Sequence, residues 1–215
     1  MPTRRNRRLA ATIRYWLQGI DEATPEGRAF WKRCAVDGLG WKHVGPWCGA
    51  FAALVDREAN GLVPRFAFDY GSSCYRRVSE VVDEKGEAYR ARPGFEALPG
   101  DIVIVGYKPG RVLGVGADGR KRTAMWWGGH ITICVSRVDT GPHPGLWCIG
   151  GNQLGELPGG LRREGVTLAF YPFERGRGMA VMWTPTILDA DFTGPVGPDP
   201  TDEELDELLY MVKAA

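Results

Sequence analysis

Apolar residues in segment 9–20 fall at Leu9, Ile13, Trp16, Leu17 and Ile20. That spacing predicts a helix with one buried face, and Gly19 marks its end. Residues 27–36 read as a second, shorter helix. The clearest helix is 47–59. There Trp47, Ala50, Phe51, Leu54 and Val55 recur at i, i+3, i+4, i+7 and i+8, one continuous stripe. Pro46 suits its entry and Asn60-Gly61 its stop. Residues 72–83 predict a further helix capped by Ser72 or Ser73.

The period then changes to that of strands. LPGDIVIVG (98–106) is a turn leading into a short apolar strand, and 129–138, 145–151, 166–171 and 179–183 complete the set. Asp118-Gly119 in the middle of 107–127 predicts a hairpin insertion. Helices first and strands afterwards is an α+β order, with N-terminal helices packed on a mainly antiparallel β-sheet. Beyond Trp183 the pattern lapses into a Pro/Gly-rich stretch. Thr201-Asp202-Glu203-Glu204 is then a capping box opening a helix whose stripe is Leu205, Leu208, Leu209 and Val212. A helix this short is not stable alone, so it must dock on this chain or on a protein partner. The expected organisation is 1–37, a basic arm and helices; 38–185, the core; 186–200, a linker; and 201–215, an acidic C-terminal helix.

Composition narrows the function classes. The chain has 215 residues, 44% of them hydrophobic, with a formal net charge of +1. That is enough for one real core and gives no general pull toward nucleic acid or membranes. Charge is concentrated at the ends. Arg4, Arg5, Arg7 and Arg8 form a basic arm, expected to be a solvated terminus able to touch phosphates. No apolar run approaches the ~18 residues of a membrane span. The basic-then-apolar start is interrupted by Arg14 and Gln18, and no small-residue cleavage site follows, so no signal peptide is expected. Five cysteines, an odd number without a Cys-x-x-Cys pair, exclude a dense disulfide scaffold and suggest no zinc site.

Cys48 is the first candidate for chemistry. It falls in the first turn of the clearest helix, where the helix dipole favours a thiolate and free backbone N–H groups can bind an oxyanion. The competing reading is a small buried core cysteine. Of three histidines, His43 and His143 lie in breaker-rich loops. His130 follows Gly128-Gly129 and opens an apolar strand, where glycines allow close approach of a substrate. Asn152, in Gly150-Gly151-Asn152-Gln153, ends the next strand. If His130 lies opposite Asn152, paired residue numbers sum to about 282, both side chains share a face, and the amide could orient the imidazole. Asn152 could equally be an ordinary turn residue, favoured for its tolerance of positive φ. The same register puts Cys134 opposite Cys148, either as two packed core thiols or as a cross-strand disulfide; without an export signal packed thiols are expected. Cys34 and Cys74 are expected to be buried. Trp126 and Trp127 precede His130, and Trp41 and Trp47 flank Cys48; such aromatics can border a cleft or fill a core.

Together these segments resemble a known family. Pro46-Trp47-Cys48-Gly49-Ala50-Phe51 is similar to the nucleophile helix of the CHAP and NlpC-type papain-like cell-wall hydrolases. Leu98-Pro99-Gly100-Asp101-Ile102-Val103 resembles their PGDIV strand start, Gly129-His130-Ile131-Thr132-Ile133 their GHVGI base-bearing strand, and Gly150-Gly151-Asn152-Gln153 their GGNQ segment. The likeness covers roughly residues 40–185, in the family's order. Thr132 stands where the family has glycine, and the 107–127 insertion is longer than expected.

The resemblance implies a papain-like fold with Cys48 as nucleophile, His130 as base and Asn152 as orienting residue. Trp47, Trp126, Trp127, Gly129 and Gln153 are expected to line the substrate cleft. It implies bacterial peptidoglycan as substrate, cleavage of an amide through a thioester, and no cofactor or metal. A protein made in the cytoplasm would then reach the wall by release, injection or virion incorporation. The alternatives are a papain-like enzyme for another amide, or a non-catalytic binding or virion-assembly module docking through its C-terminal helix.

Overall fold

The alternation of side chains sorts the strands onto two faces, and the helices cover one of them. The computed structural model describes residues 4–38, 47–61, 91–93, 97–105, 112–115, 121–123, 130–173, 179–182 and 199–214. Its elements are α1 (Arg4–Leu17), α2 (Pro25–Arg33) running into a π-helical turn (Cys34–Gly38), and α3 (Cys48–Asn60). The strands are β1 (Ala91–Pro93), β2 (Ile102–Val105), β3 (Val112–Val115), β4 (Lys121–Thr123), β5 (His130–Val138), β6 (Gly145–Glu156), β7 (Arg162–Pro172) and β8 (Met179–Met182); α4 (Asp202–Ala214) closes the series. Six strands pair antiparallel in the order β1-β8-β2-β5-β6-β7, while β3 and β4 make a separate hairpin inside the expected insertion. The architecture is α+β.

On the helix face, Ile131, Ile133 and Val135 of β5, Ile149 of β6, and Val166 and Leu168 of β7 pack against Ile13 and Trp16 of α1 and Phe51 and Leu54 of α3. The outer face gathers Val103, Val105, Cys134, Leu146 and Cys148. The central strands β5 and β6 therefore bury both sides and read as near-continuous apolar runs.

Several boundaries differ from the sequence expectation. The first helix begins at Arg4 rather than residue 9. Its arginines are not a solvated arm: Arg8 is 4% exposed, donates to Asp56 at 2.8 Å and gives a second bond to the Gly100 carbonyl. Arg7 reaches Asn60 and Asp199. Pairing with acids on α3 and beside α4 makes these charges structural. The C-terminal helix docks on this chain, placing Leu205, Leu208 and Val212 in the core that contains α1. Only half of its capping box forms. Thr201 accepts the Glu204 amide at 3.1 Å, but the Glu204 carboxylate turns to Arg14. The expected helix at 72–83, Cys74 and most of the linker lie outside the described residues. No helix among them is long and apolar enough to cross a membrane.

Candidate functional site

The tip of α3 is fixed from three directions. Trp47 is fully buried, with edge-on contacts to Phe30 and Phe51 at 6.1 and 6.3 Å, and its indole N–H donates to Glu22 at 3.1 Å. It belongs to the core rather than to a cleft wall, against the expectation, because α2 closes over it. Against its ring lies Gly151 of β6, where a Cβ would come within 2.4 Å of the indole. That close approach is what only glycine allows. Cys48, the first residue of α3, is 2% exposed. Its thiol lies within reach of the backbone amides of Ile131, Gly49 and Cys48 itself. Burial pushes the thiol pKa up, and those amides only partly offset it. The lowered pKa expected from the helix terminus is therefore overturned by desolvation.

His130 opens β5 next to Ile131. Its Nε2 lies 2.9 Å from Oε1 of Gln153. The orientation of that amide follows from its surroundings. The Gln153 nitrogen donates to the carbonyls of Cys148 (3.2 Å) and Thr167 (2.8 Å), which can only accept. Its oxygen must then face His130, so Nε2 carries the proton and Nδ1 keeps its lone pair. The same oxygen accepts from Thr132 at 3.1 Å and Tyr171 at 3.0 Å. Thr132 thus contributes a polar contact. The Tyr171 ring stacks near the imidazole, with centroids 6.4 Å apart. Burial pulls the His130 pKa down to about 4, with the Gln153 bond acting the other way. The resting imidazole is neutral.

Among the described residues the side chain bonded to the imidazole is that of Gln153, not that of Asn152. The cross-strand register does pair Ile133 with Ile149 and Cys134 with Cys148, as the sum of 282 requires. The β6–β7 ladder, however, slips between Gly150 and Gln153: Gly150 faces Thr167, while Gln153 faces Gly165. Two residues, Gly151 and Asn152, therefore oppose Val166 alone, which is a β-bulge. Asn152 takes φ 56°, and β6 continues to Glu156 instead of ending. The bulge returns Gln153 to the face of Gly150, whose Cβ position lies 2.7 Å from Gln153 Oε1 and 3.0 Å from His130 Nε2. Asn152 is the left-handed residue that makes this shift. Gln153 is 3% exposed and holds the imidazole through its amide oxygen.

Beside this cluster lies an open cleft of about 460 Å³, bordered by His130, Asn152, Gln153, Trp147, Phe170, Tyr171, Glu156 and Arg162. Trp147 and Phe170 form an aromatic pair at 5.1 Å. Sequence reasoning passed over both, since neither is near Cys48 or His130 in the chain; their facing strand positions were the available signal. Trp126, Trp127 and Gly129 lie outside the described residues. Neither Trp47 nor Cys48 borders the cleft. Among the described residues, no hydrogen bond joins Cys48 to His130 and no cluster of three His, Cys, Asp or Glu could hold a metal.

A scan against protein-family models, a search of curated proteins and a search of solved structures each returned no match.

Proposed function

We propose that the chain is a cysteine amidohydrolase of papain-like arrangement that cleaves an amide of bacterial peptidoglycan. One observation carries the reaction class. The Cys48 thiol at the tip of α3 packs in the same core as Ile131, the residue after a neutral His130 whose Nε2–H is held by Gln153. The nitrogen left available on that imidazole is the basic one. Peptidoglycan as substrate rests on the ordered set of motifs.

In this reading the free enzyme holds a neutral thiol and a neutral imidazole, not a preformed ion pair. The imidazole, which rests on the Gly150 and Gln153 face of the sheet, must reach the thiol through Nδ1 once substrate is bound. Nδ1 takes the proton as sulfur attacks the amide carbonyl, and the Cys48 N–H at the helix tip stabilises the oxyanion. The imidazolium then protonates the leaving amine, and water releases the acyl group from the thioester.

Incubation of wild-type protein and Cys48→Ala with purified peptidoglycan, followed by mass spectrometry of soluble products, tests it. Fragments from wild type alone, at a rate at least about 10³-fold above the variant, are expected. Equal fragment release by both proteins would remove Cys48 from the mechanism.

A second reading has its own support. A thiol only 2% exposed and without a bond to His130 suits a binding or assembly module that keeps the scaffold alone. Failure of iodoacetamide to label Cys48 in the folded protein, with no fragments released, would favour it.

A further inference from the structure

Cys134 and Cys148 face each other across the two central strands, and the proposed activity uses neither. Both are free, fully buried and on the outer face. Their register is direct, Cys134 against Cys148. The kind of pairing follows from the backbone. The Cys134 N–H donates to the Asp101 carbonyl and the Cys134 carbonyl accepts from Gly100, both at 2.8 Å. Both groups therefore point toward the β2 side and away from β6. Cys134 and Cys148 thus form a non-hydrogen-bonded pair, the type in which Cα atoms lie roughly 4.5 Å apart and side chains are closest. That spacing falls within the range a disulfide bridges, roughly 4.4–6.8 Å. Burial and the neighbouring Cys134 thiol push the Cys148 thiol pKa up, and the Cys134 thiol donates to the Ser136 carbonyl at 3.7 Å.

We propose that Cys134 and Cys148 are a latent cross-strand disulfide, closed when the chain folds in an oxidising environment and open when it folds in a reducing one. The oxidant is a small disulfide such as oxidised glutathione. One cysteine thiolate attacks it, forming a mixed disulfide and releasing one glutathione thiolate. The other cysteine, as thiolate, then attacks the protein sulfur and releases the second. Two protein thiols are oxidised, one S–S bond forms, and two glutathione molecules are reduced. Because both sulfurs are shielded in the folded chain, closure belongs to folding or to transient opening, and the finished bond is protected from reductants. The bridge would fasten the strands that carry His130 and Gln153. The Gln153 amide already donates to the Cys148 carbonyl, so the bridge lies directly behind the support of the imidazole.

The test is independent of any enzyme activity. The full chain is unfolded in urea and refolded either with reduced and oxidised glutathione or with excess reductant, then alkylated in denaturant and digested. The oxidised sample should be lighter by two hydrogen masses before alkylation and yield one peptide linking Cys134 to Cys148. Its melting temperature should rise by roughly 5 °C or more over the reduced sample. A Cys34→Ser/Cys48→Ala/Cys74→Ser chain should give the same link, with the wild-type peptide map deciding if that variant does not fold. Recovery of Cys134 and Cys148 as alkylated thiols or as separate glutathione adducts would overturn the proposal. So would a linked form that melts below the reduced one.

Discussion

Gln153 makes five side-chain hydrogen bonds, to His130, Thr132, Tyr171 and the carbonyls of Cys148 and Thr167. Replacing it with leucine leaves several buried polar groups short of a partner, each costing about 1–3 kcal/mol before water relieves some of them. Gln153→Leu is expected to lower the unfolding free energy by about 3 kcal/mol in urea titrations. Asn152→Gly, at a left-handed φ, should cost less than about 1 kcal/mol. The reverse order of these two effects would restore Asn152 as the supporting residue. His130 sets a pH dependence whose sign follows from its lowered pKa. Between the ordinary histidine value near 6.5 and about 4, the unfolded chain binds a proton that the folded chain does not. The stability contributed by neutral His130 is therefore complete above about pH 6.5 and is lost as pH falls through 4. With part of the side chain reaching the cleft, the loss is on the order of 2 kcal/mol. NMR titration of the imidazole, expected to show a midpoint near 4, checks the cause; a midpoint near 6.5 would contradict it.

At the scale of elements, hydrophobic period carried most of the information. The stripe in 47–59 matches α3 to within one residue, and the strand alternation located β5 and β8 closely. The Cys134–Cys148 register was legible because it needs only parity along two apolar runs. The β6 bulge was not. A glycine pair followed by Asn-Gln is compatible with a turn or a bulge, and parity alone then assigns the wrong neighbour to His130. The burial of Cys48 was one of two readings the sequence left open, since it depends on how closely Gly151 lets the helix tip approach the sheet. For α4 the stripe was visible, but its docking surface on α1 was not. Leu208 is 8% exposed in that contact, so Leu208→Ala should cost about 2 kcal/mol. Thr201→Ala, which removes the cap on the Glu204 amide, should cost about 1 kcal/mol. Thermal melts of both variants, followed by helix signal, would show whether α4 unfolds with the rest of the protein, as its place in the core requires.

Across the whole molecule, charged residues tie together parts of the chain that are far apart in sequence. Arg8 joins α1 to Asp56 of α3 and to the turn before β2, and Asp56 also accepts from Asn60 at 2.7 Å. Removing one member leaves a buried charge without its partner. Arg8→Met is expected to destabilise by about 3–5 kcal/mol, whereas the combined Arg8→Met/Asp56→Leu chain should recover much of that loss. Equal losses for the single and double variants in chemical denaturation would mean that the pair does not act as a unit. The pairs between Arg14 and Glu204 and between Arg7 and Asp199 are more exposed and guide α4 into place more than they hold it there, at about 0–1 kcal/mol each.

The β6 bulge also says something about mutational access. Deleting Asn152 would leave Gln153 two positions after Gly150, where a straight strand already turns it to the same face and opposite Gly165. A residue can therefore be gained or lost at this point of β6 without turning over the strand beyond it, whereas a one-residue change elsewhere in β6 would move every later side chain to the other face.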